Sequence, residues 1–138
     1  MQLNIGSHHL TASQLDRLRR AWVHPTPGKV TLRSLQNMDV VVTATDGATG
    51  EVIGYICGFT DRTLIGYIWD VEVLPSHHGQ GIERTLVERF VAECGDIYQI
   101  NAHPSIEAAS IFEAAGFTSY RARDAVPMTI QNFAKQAG

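Results

Sequence analysis

Val71-Glu72-Val73-Leu74-Pro75-Ser76-His77-His78-Gly79-Gln80-Gly81-Ile82-Glu83-Arg84 is the stretch on which the reading of this chain turns. An apolar run ends at Leu74-Pro75, a turn bearing two glycines follows, and a helical pattern opens at Ile82. Ile82, Leu86, Val87, Phe90, Val91 and Cys94 then recur on one helical face, and Gly95 stands where a helix is stopped. The spacing predicts strand, glycine turn, amphipathic helix. Glycine lets a backbone approach a ligand closely and adopt conformations closed to other residues. The first turn of the helix offers unpaired N–H groups and the positive end of a dipole, which suits a phosphate or pyrophosphate. A tight turn that holds no ligand would read the same way.

Upstream, Thr11-Ala12-Ser13-Gln14 has the spacing of a capping box, followed by Leu15, Leu18 and Trp22 at helical intervals. His24-Pro25-Thr26-Pro27-Gly28 breaks that pattern, and Val30, Leu32 and Leu35 mark a weaker helix. Val40 to Ala44 and Val52 to Phe59 read as strands around the turn residues Asp46 to Gly50, an antiparallel hairpin. After Asp61-Arg62-Thr63, Leu64 to Val73 is a long strand. Downstream, Ile97 to Ala102 is a short strand. Ser105 is placed to cap a helix with Ile106, Ala109, Ile111 and Phe112 on its apolar face, closed by Gly116. Phe117 to Arg123 and Met128 to Phe133 read as final strands. No repeat or linker interrupts this order, so the expectation is one α/β domain over residues 1–138, with a mixed sheet and helices on its faces.

Composition narrows the function. The 138 residues are 44% hydrophobic and 18% charged, the balance of an ordinary globular domain. Eleven basic against 14 acidic residues give a charge of -3, which argues against nucleic acid or an anionic membrane as partner. No secretory leader is visible, and no apolar run approaches the roughly 20 residues of a membrane span. Cys57 and Cys94 are too few for a disulfide framework and read as small buried hydrophobes. The expected compartment is cytoplasmic. His8, His9, His24, His77, His78 and His103 have no zinc-type spacing, so no metal is expected, and no GxSxG elbow supports a serine hydrolase.

Among phosphate-binding patterns, a P-loop fails for want of Gly-Lys-Ser or Gly-Lys-Thr. A dinucleotide fingerprint begun at Gly79 and Gly81 meets Arg84 where its third glycine belongs. The segment resembles instead the coenzyme A signature of the GNAT acyltransferases, Gln/Arg-x-x-Gly-x-Gly/Ala after a strand ending in V-x-P. Tyr67 to Val73 looks like that family's fourth strand. Ser105-Ile106-Glu107-Ala108-Ala109-Ser110-Ile111-Phe112-Glu113-Ala114-Ala115-Gly116-Phe117 resembles its second signature, roughly N-x-x-A-x-x-L-Y-x-x-x-G-F. Both signatures stand in the right order and spacing, and the likeness spans nearly the whole chain.

The resemblance implies a mostly antiparallel mixed sheet whose fourth and fifth strands splay apart, and acetyl-coenzyme A as cosubstrate. It implies that Val71, Glu72 and Val73 run beside the pantetheine arm, with a main-chain N–H near Val73 as oxyanion donor. It further implies that His78, Gly79, Gln80, Gly81, Ile82, Glu83 and Arg84 surround the pyrophosphate, and that Ser105, Ala109 and Phe112 lie beside the arm and its sulfur. The sequence departs from the family at four of these places. His78 replaces Gln or Arg, Glu83 sets a carboxylate where a small residue is usual, Ser105 replaces asparagine, and Phe112 replaces a tyrosine that serves as general acid.

Direct attack of an amine on a thioester needs a group to take the amine's proton. Glu72 is the leading base, and Asp70 shares its face at a period of two. The pair can raise one pKa or together bind a cation. Tyr67, His103 and Tyr120 are weaker candidates, and Trp22 and Trp69 are expected in the core or lining the acceptor pocket. The function expected is acetyl transfer to a primary amine in a ternary complex, with a small molecule favoured over a protein acceptor and a homodimer possible. The alternative is a coenzyme A-binding module or sensor without turnover, for which Glu83 and Phe112 speak.

Overall fold

The β-branched runs and the capped helical repeats fold as a computed structural model that describes residues 1–123, 126–131 and 134. The elements are β1 (Gln2–Ile5), α1 (Ala12–Leu18), α2 (Gly28–Gln36), β2 (Val40–Thr45), β3 (Val52–Thr60), β4 (Ile65–Val73), α3 (Ile82–Cys94), β5 (Gln99–Ala102) and α4 (Ala109–Ala114). One five-stranded sheet runs in the order β1-β2-β3-β4-β5. Its first three pairings are antiparallel and β4–β5 is parallel, the mixed, mostly antiparallel sheet that was expected.

Alternation along β3 sets the two faces. A Cβ at Gly54 or Gly58 would meet Leu86 or Phe90 of α3, whereas the Tyr55 hydroxyl meets Arg19 at the end of α1. So α3 packs on one face and the end of α1 on the other. Ile82, Leu86, Val87, Phe90 and Cys94 are the buried stripe of α3, and Leu15, Leu18 and Leu35 are buried from α1 and α2. Burying each large side chain of this kind contributes about 1.5–3 kcal/mol. Cys57 and Cys94 are buried and unpaired, as expected for small apolar side chains.

Capping follows the sequence closely at one helix and loosely at another. The Thr11 hydroxyl accepts from the Gln14 N–H at 3.2 Å and Gln14 Oε1 accepts from the Thr11 N–H at 2.8 Å, closing the capping box. Ser105 Oγ accepts from the Ala108 N–H at 3.2 Å, but this closes a turn, and α4 begins only at Ala109. Ile106 consequently lies off the helix and is 92% exposed rather than on its apolar face. The chain end also differs from expectation. Phe117 to Ser119 forms no strand and Tyr120–Arg123 is a 3-10 turn, with the Tyr120 hydroxyl bonded across to Asn101 on β5. Met128 to Gln131 forms no strand, and Asn132 and Phe133 lie outside the described residues. β1, a four-residue strand of two polar and two apolar residues, was not anticipated.

Candidate active site

The β3–β4 ladder pairs Cys57 with Asp70 and Gly58 with Ile68, leaving Trp69 as the extra residue of a bulge. Beyond the bulge, Asp70 lies opposite Cys57 and Glu72 opposite Tyr55, so both carboxylates share the face that carries Tyr55. Arg19, the C-cap of α1, reaches this face and is only 6% exposed. Its Nη1 donates to Asp70 Oδ2 at 2.8 Å and to the Tyr55 hydroxyl at 3.3 Å. The Tyr55 hydroxyl donates to the same Asp70 oxygen at 2.8 Å. The guanidinium also lies 3.9 Å over the Trp22 ring, a cation–π contact.

Burial drives the electrostatics of this cluster. Removal from water, reinforced by the neighbouring Asp70 charge, pushes Glu72 up to about 8, against the pull of Arg19 and of a Trp22 hydrogen bond. Burial raises Asp70 as well, opposed by Arg19 and the Tyr55 hydroxyl. Tyr55 and Cys57 are held far above their ordinary values, first by burial and then by Asp70. Glu72 is therefore a carboxylate whose proton exchanges near neutral pH, on a strand that ends at the glycine turn.

The other edge of β4 is open at the same residues. β5 pairs with β4 only from Ile65 to Ile68 and ends at Ala102. Among the described residues nothing pairs with that edge from Trp69 to Val73. The Leu74 N–H donates to the Ile53 carbonyl at 2.8 Å. An antiparallel ladder alternates, so the N–H groups of Val71 and Val73 point away from β3, to the open edge. This is the splay between the fourth and fifth strands.

At the end of β4, Pro75–His77 makes a 3-10 turn and the chain passes through Gly79 and Gly81, with φ of 77° and 78°. Both are left-handed, and nothing stands within 4 Å of where a Cβ would be. Gly81 is the N-cap of α3 and supplies no side chain to its first turn. The amides of that turn thus face an open cradle at the dipole's positive end. His78 Nε2 lies 2.8 Å from the Val73 carbonyl and 3.9 Å from Glu83 Oε1. Glu83, 20% exposed, is turned toward His78 rather than out into water. Arg84 points elsewhere, pairing with Glu88 at 2.7 Å.

Ser105, Ala109 and Phe112 line a cleft of about 790 Å3 that also takes in Ile100, Phe117 and Tyr120. Its walls include neither Val71–Val73 nor the glycine turn, so the sequence-predicted residues fall into two groups. Phe112 is 7% exposed and packs edge-on to Phe117 at 5.4 Å. Tyr67 and His103 meet each other, hydroxyl to Nδ1 at 2.9 Å, and Tyr120 donates to Asn101 Oδ1 at 2.5 Å. Trp22 and Trp69 are 42% and 61% exposed, so neither belongs to the core. Arg19 and Tyr55 were missed by sequence reasoning. A lone arginine after a helix and a tyrosine within an apolar strand carry no motif, and their partner Asp70 is 51 and 15 residues away.

Among the described residues, no three His, Cys, Asp or Glu side chains gather where they would hold a metal ion. No helix among them is long and apolar enough to cross a membrane. The profile of the acetyltransferase (GNAT) family matches residues 10–117. The chain belongs to the GNAT family. Its fold matches that of a Deinococcus radiodurans R1 protein described as an acetyltransferase, with 25% identity, TM-score 0.84, and 99% of this chain and 92% of that one covered. A GNAT family protein of Streptococcus pneumoniae TIGR4 is 21% identical, with TM-score 0.78 and 95% and 97% covered. Glucosamine-6-phosphate N-acetyltransferase of Arabidopsis thaliana shares the fold at 16% identity, TM-score 0.66, with 95% and 99% covered. No curated protein sequence matches the chain significantly.

Proposed function

We propose that this GNAT protein is an N-acetyltransferase that moves an acetyl group from acetyl-coenzyme A directly to a primary amine within a ternary complex. The observation that carries the reading is the coincidence, on Trp69 to Val73, of an open backbone edge and a buried glutamate titrating near neutrality. The cradle fits the coenzyme: Gly79 and Gly81 leave space where other residues would carry a Cβ, and no side chain caps α3. Amides from Gly79 to Arg84 would hold the diphosphate, and the N–H groups of Val71 and Val73, outside the β3 ladder, would hold the arm. Glu83 fits least, since it sets a carboxylate in the first turn of α3.

When bound, acetyl-coenzyme A supplies an activated thioester and a thiol acidic enough to leave without help. Glu72 takes the proton that the attacking amine must lose, a task suited to a group with a pKa of about 8. The Val73 N–H offers a hydrogen bond to an oxyanion at the open edge. Phe112 has no proton to give, and its burial places it as packing rather than as an acid. Asp70 and Glu72, with a chain charge of -3, favour a small cationic amine over an acidic acceptor or a protein.

Thiol release measured against a panel of primary amines tests the reading. Glu72→Gln is expected to cut kcat by about 10²–10⁴-fold and leave acetyl-coenzyme A affinity unchanged. Full turnover in that variant would remove Glu72 as base. Coenzyme binding without thiol release for any amine would instead support a binding module, the reading that Phe112 and Glu83 favour.

A further inference from the structure

We propose that Arg19 is a positioning residue, which through Asp70 makes Glu72 the one proton acceptor of the site. The inference rests on the acetyltransferase reading for its purpose but not for its geometry. Arg19 is an unusual residue to find at 6% exposure at the end of a seven-residue helix. Its Nη1 reaches Asp70 at 2.8 Å, its face stacks on Trp22, and its Nε is buried without any hydrogen-bond partner. A buried, unpaired N–H costs about 1–3 kcal/mol. That cost persists in a folded protein when the surrounding contacts dictate the placement. Here Asp70 and Tyr55 on one side and the Trp22 ring on the other hold the guanidinium.

The arrangement separates two carboxylates that the sequence leaves equivalent. Asp70 receives the guanidinium and the Tyr55 hydroxyl on a single oxygen, both at 2.8 Å, and both oppose the rise that burial imposes on it. Glu72 is bonded by Trp22 and, in its protonated form, donates to Asp70, and that bond raises it together with the neighbouring Asp70 charge. The ionisable groups acting on the pair are Arg19 from the end of α1 and Tyr55 and Cys57 from β3. Tyr55 and Cys57 stay neutral across the working range because burial holds their protons on. Arg19 is then the fixed positive charge, Asp70 the carboxylate whose charged form it favours, and Glu72 the group that moves a proton. Trp22 links this electrostatic unit to the segment after α1, because the same indole stacks on Arg19 and bonds Glu72.

Arg19 and Asp70 act on Glu72 with opposite signs, which gives the test its power. Carbon-13 NMR of the glutamate side-chain carboxyls, with the Glu72 signal assigned by its loss in Glu72→Gln, reads the midpoint in the free protein. In the unsubstituted chain it is expected near 8. Asp70→Asn removes the neighbouring negative charge and should lower the midpoint by more than one pH unit. Arg19→Met removes the positive charge and should raise it, and Arg19→Lys should restore most of the difference. The acid limb of the pH–rate profile should move with each midpoint. Midpoints that stay within a few tenths of a unit in both variants would overturn the proposal. If Arg19→Met fails to fold, Asp70→Asn and Arg19→Lys still decide it. No coenzyme or amine enters the NMR titration, so a failed acetyltransferase reading would leave these shifts intact, and unmoved midpoints would leave acetyl transfer standing.

Discussion

At Glu83 the first turn of α3 holds a carboxylate in the cradle where a diphosphate would sit, 3.9 Å from His78 Nε2. A charge in a helix's first turn is worth about 0.3–1 kcal/mol, and here its sign opposes an anionic ligand. Glu83→Ala is therefore expected to tighten acetyl-coenzyme A binding about two- to fivefold in a calorimetric titration. Unchanged affinity would show that the carboxylate does not oppose the ligand. Phe112 sits at the other departure from the family pattern. It is packed against Phe117, and a tyrosine there would carry its hydroxyl into apolar surroundings. Phe112→Tyr should cost about 1–3 kcal/mol of stability, seen as a lower Tm, unless the hydroxyl reaches the cleft. A faster turnover in that variant would show that the hydroxyl arrives where a leaving thiolate needs a proton.

The turn from β4 into α3 is the element on which the site depends. Gly81 has φ of 78° and open space around its missing Cβ, so substitution meets strain but no clash. Gly81→Ala should destabilise the fold by about 1–2 kcal/mol. It should also weaken acetyl-coenzyme A binding by repositioning the first-turn amides, whereas Gly81→Asn, which tolerates a left-handed backbone, should retain more of both. This element was legible in the sequence, because glycine spacing and the apolar stripe from Ile82 to Cys94 are local signals. The capping box at Thr11 was legible for the same reason. Ser105 misled, since its hydroxyl closes a turn one step before the helix it was expected to start. Arg19 was illegible because its role is made by partners on other strands. That Asp70 and Glu72 share a face was legible from their spacing, whereas the guanidinium's approach to Asp70 was not.

Across the whole molecule, the strand–helix order predicted one mixed sheet, and pairing followed chain order throughout, antiparallel up to β4 and parallel at β5. The splay at Trp69–Val73 follows from the short β5, which ends at Ala102 as the apolar run from Ile97 predicted and starts two residues later, at Gln99. Because Glu72 is raised from 4.5 to about 8, the folded chain binds its proton more tightly than the unfolded chain does. Stability from this group is full below pH 4.5, falls as pH rises, and is lost by about pH 8. Denaturant midpoints should accordingly decline between pH 5 and 9, and Glu72→Gln should flatten that decline. An equal slope in the two proteins would place the titration elsewhere. The measurement that bears most directly on the acetyltransferase reading is calorimetric titration of acetyl-coenzyme A into the purified protein. Micromolar binding that Gly81→Ala weakens is the predicted result, and an absence of binding at millimolar ligand would contradict it.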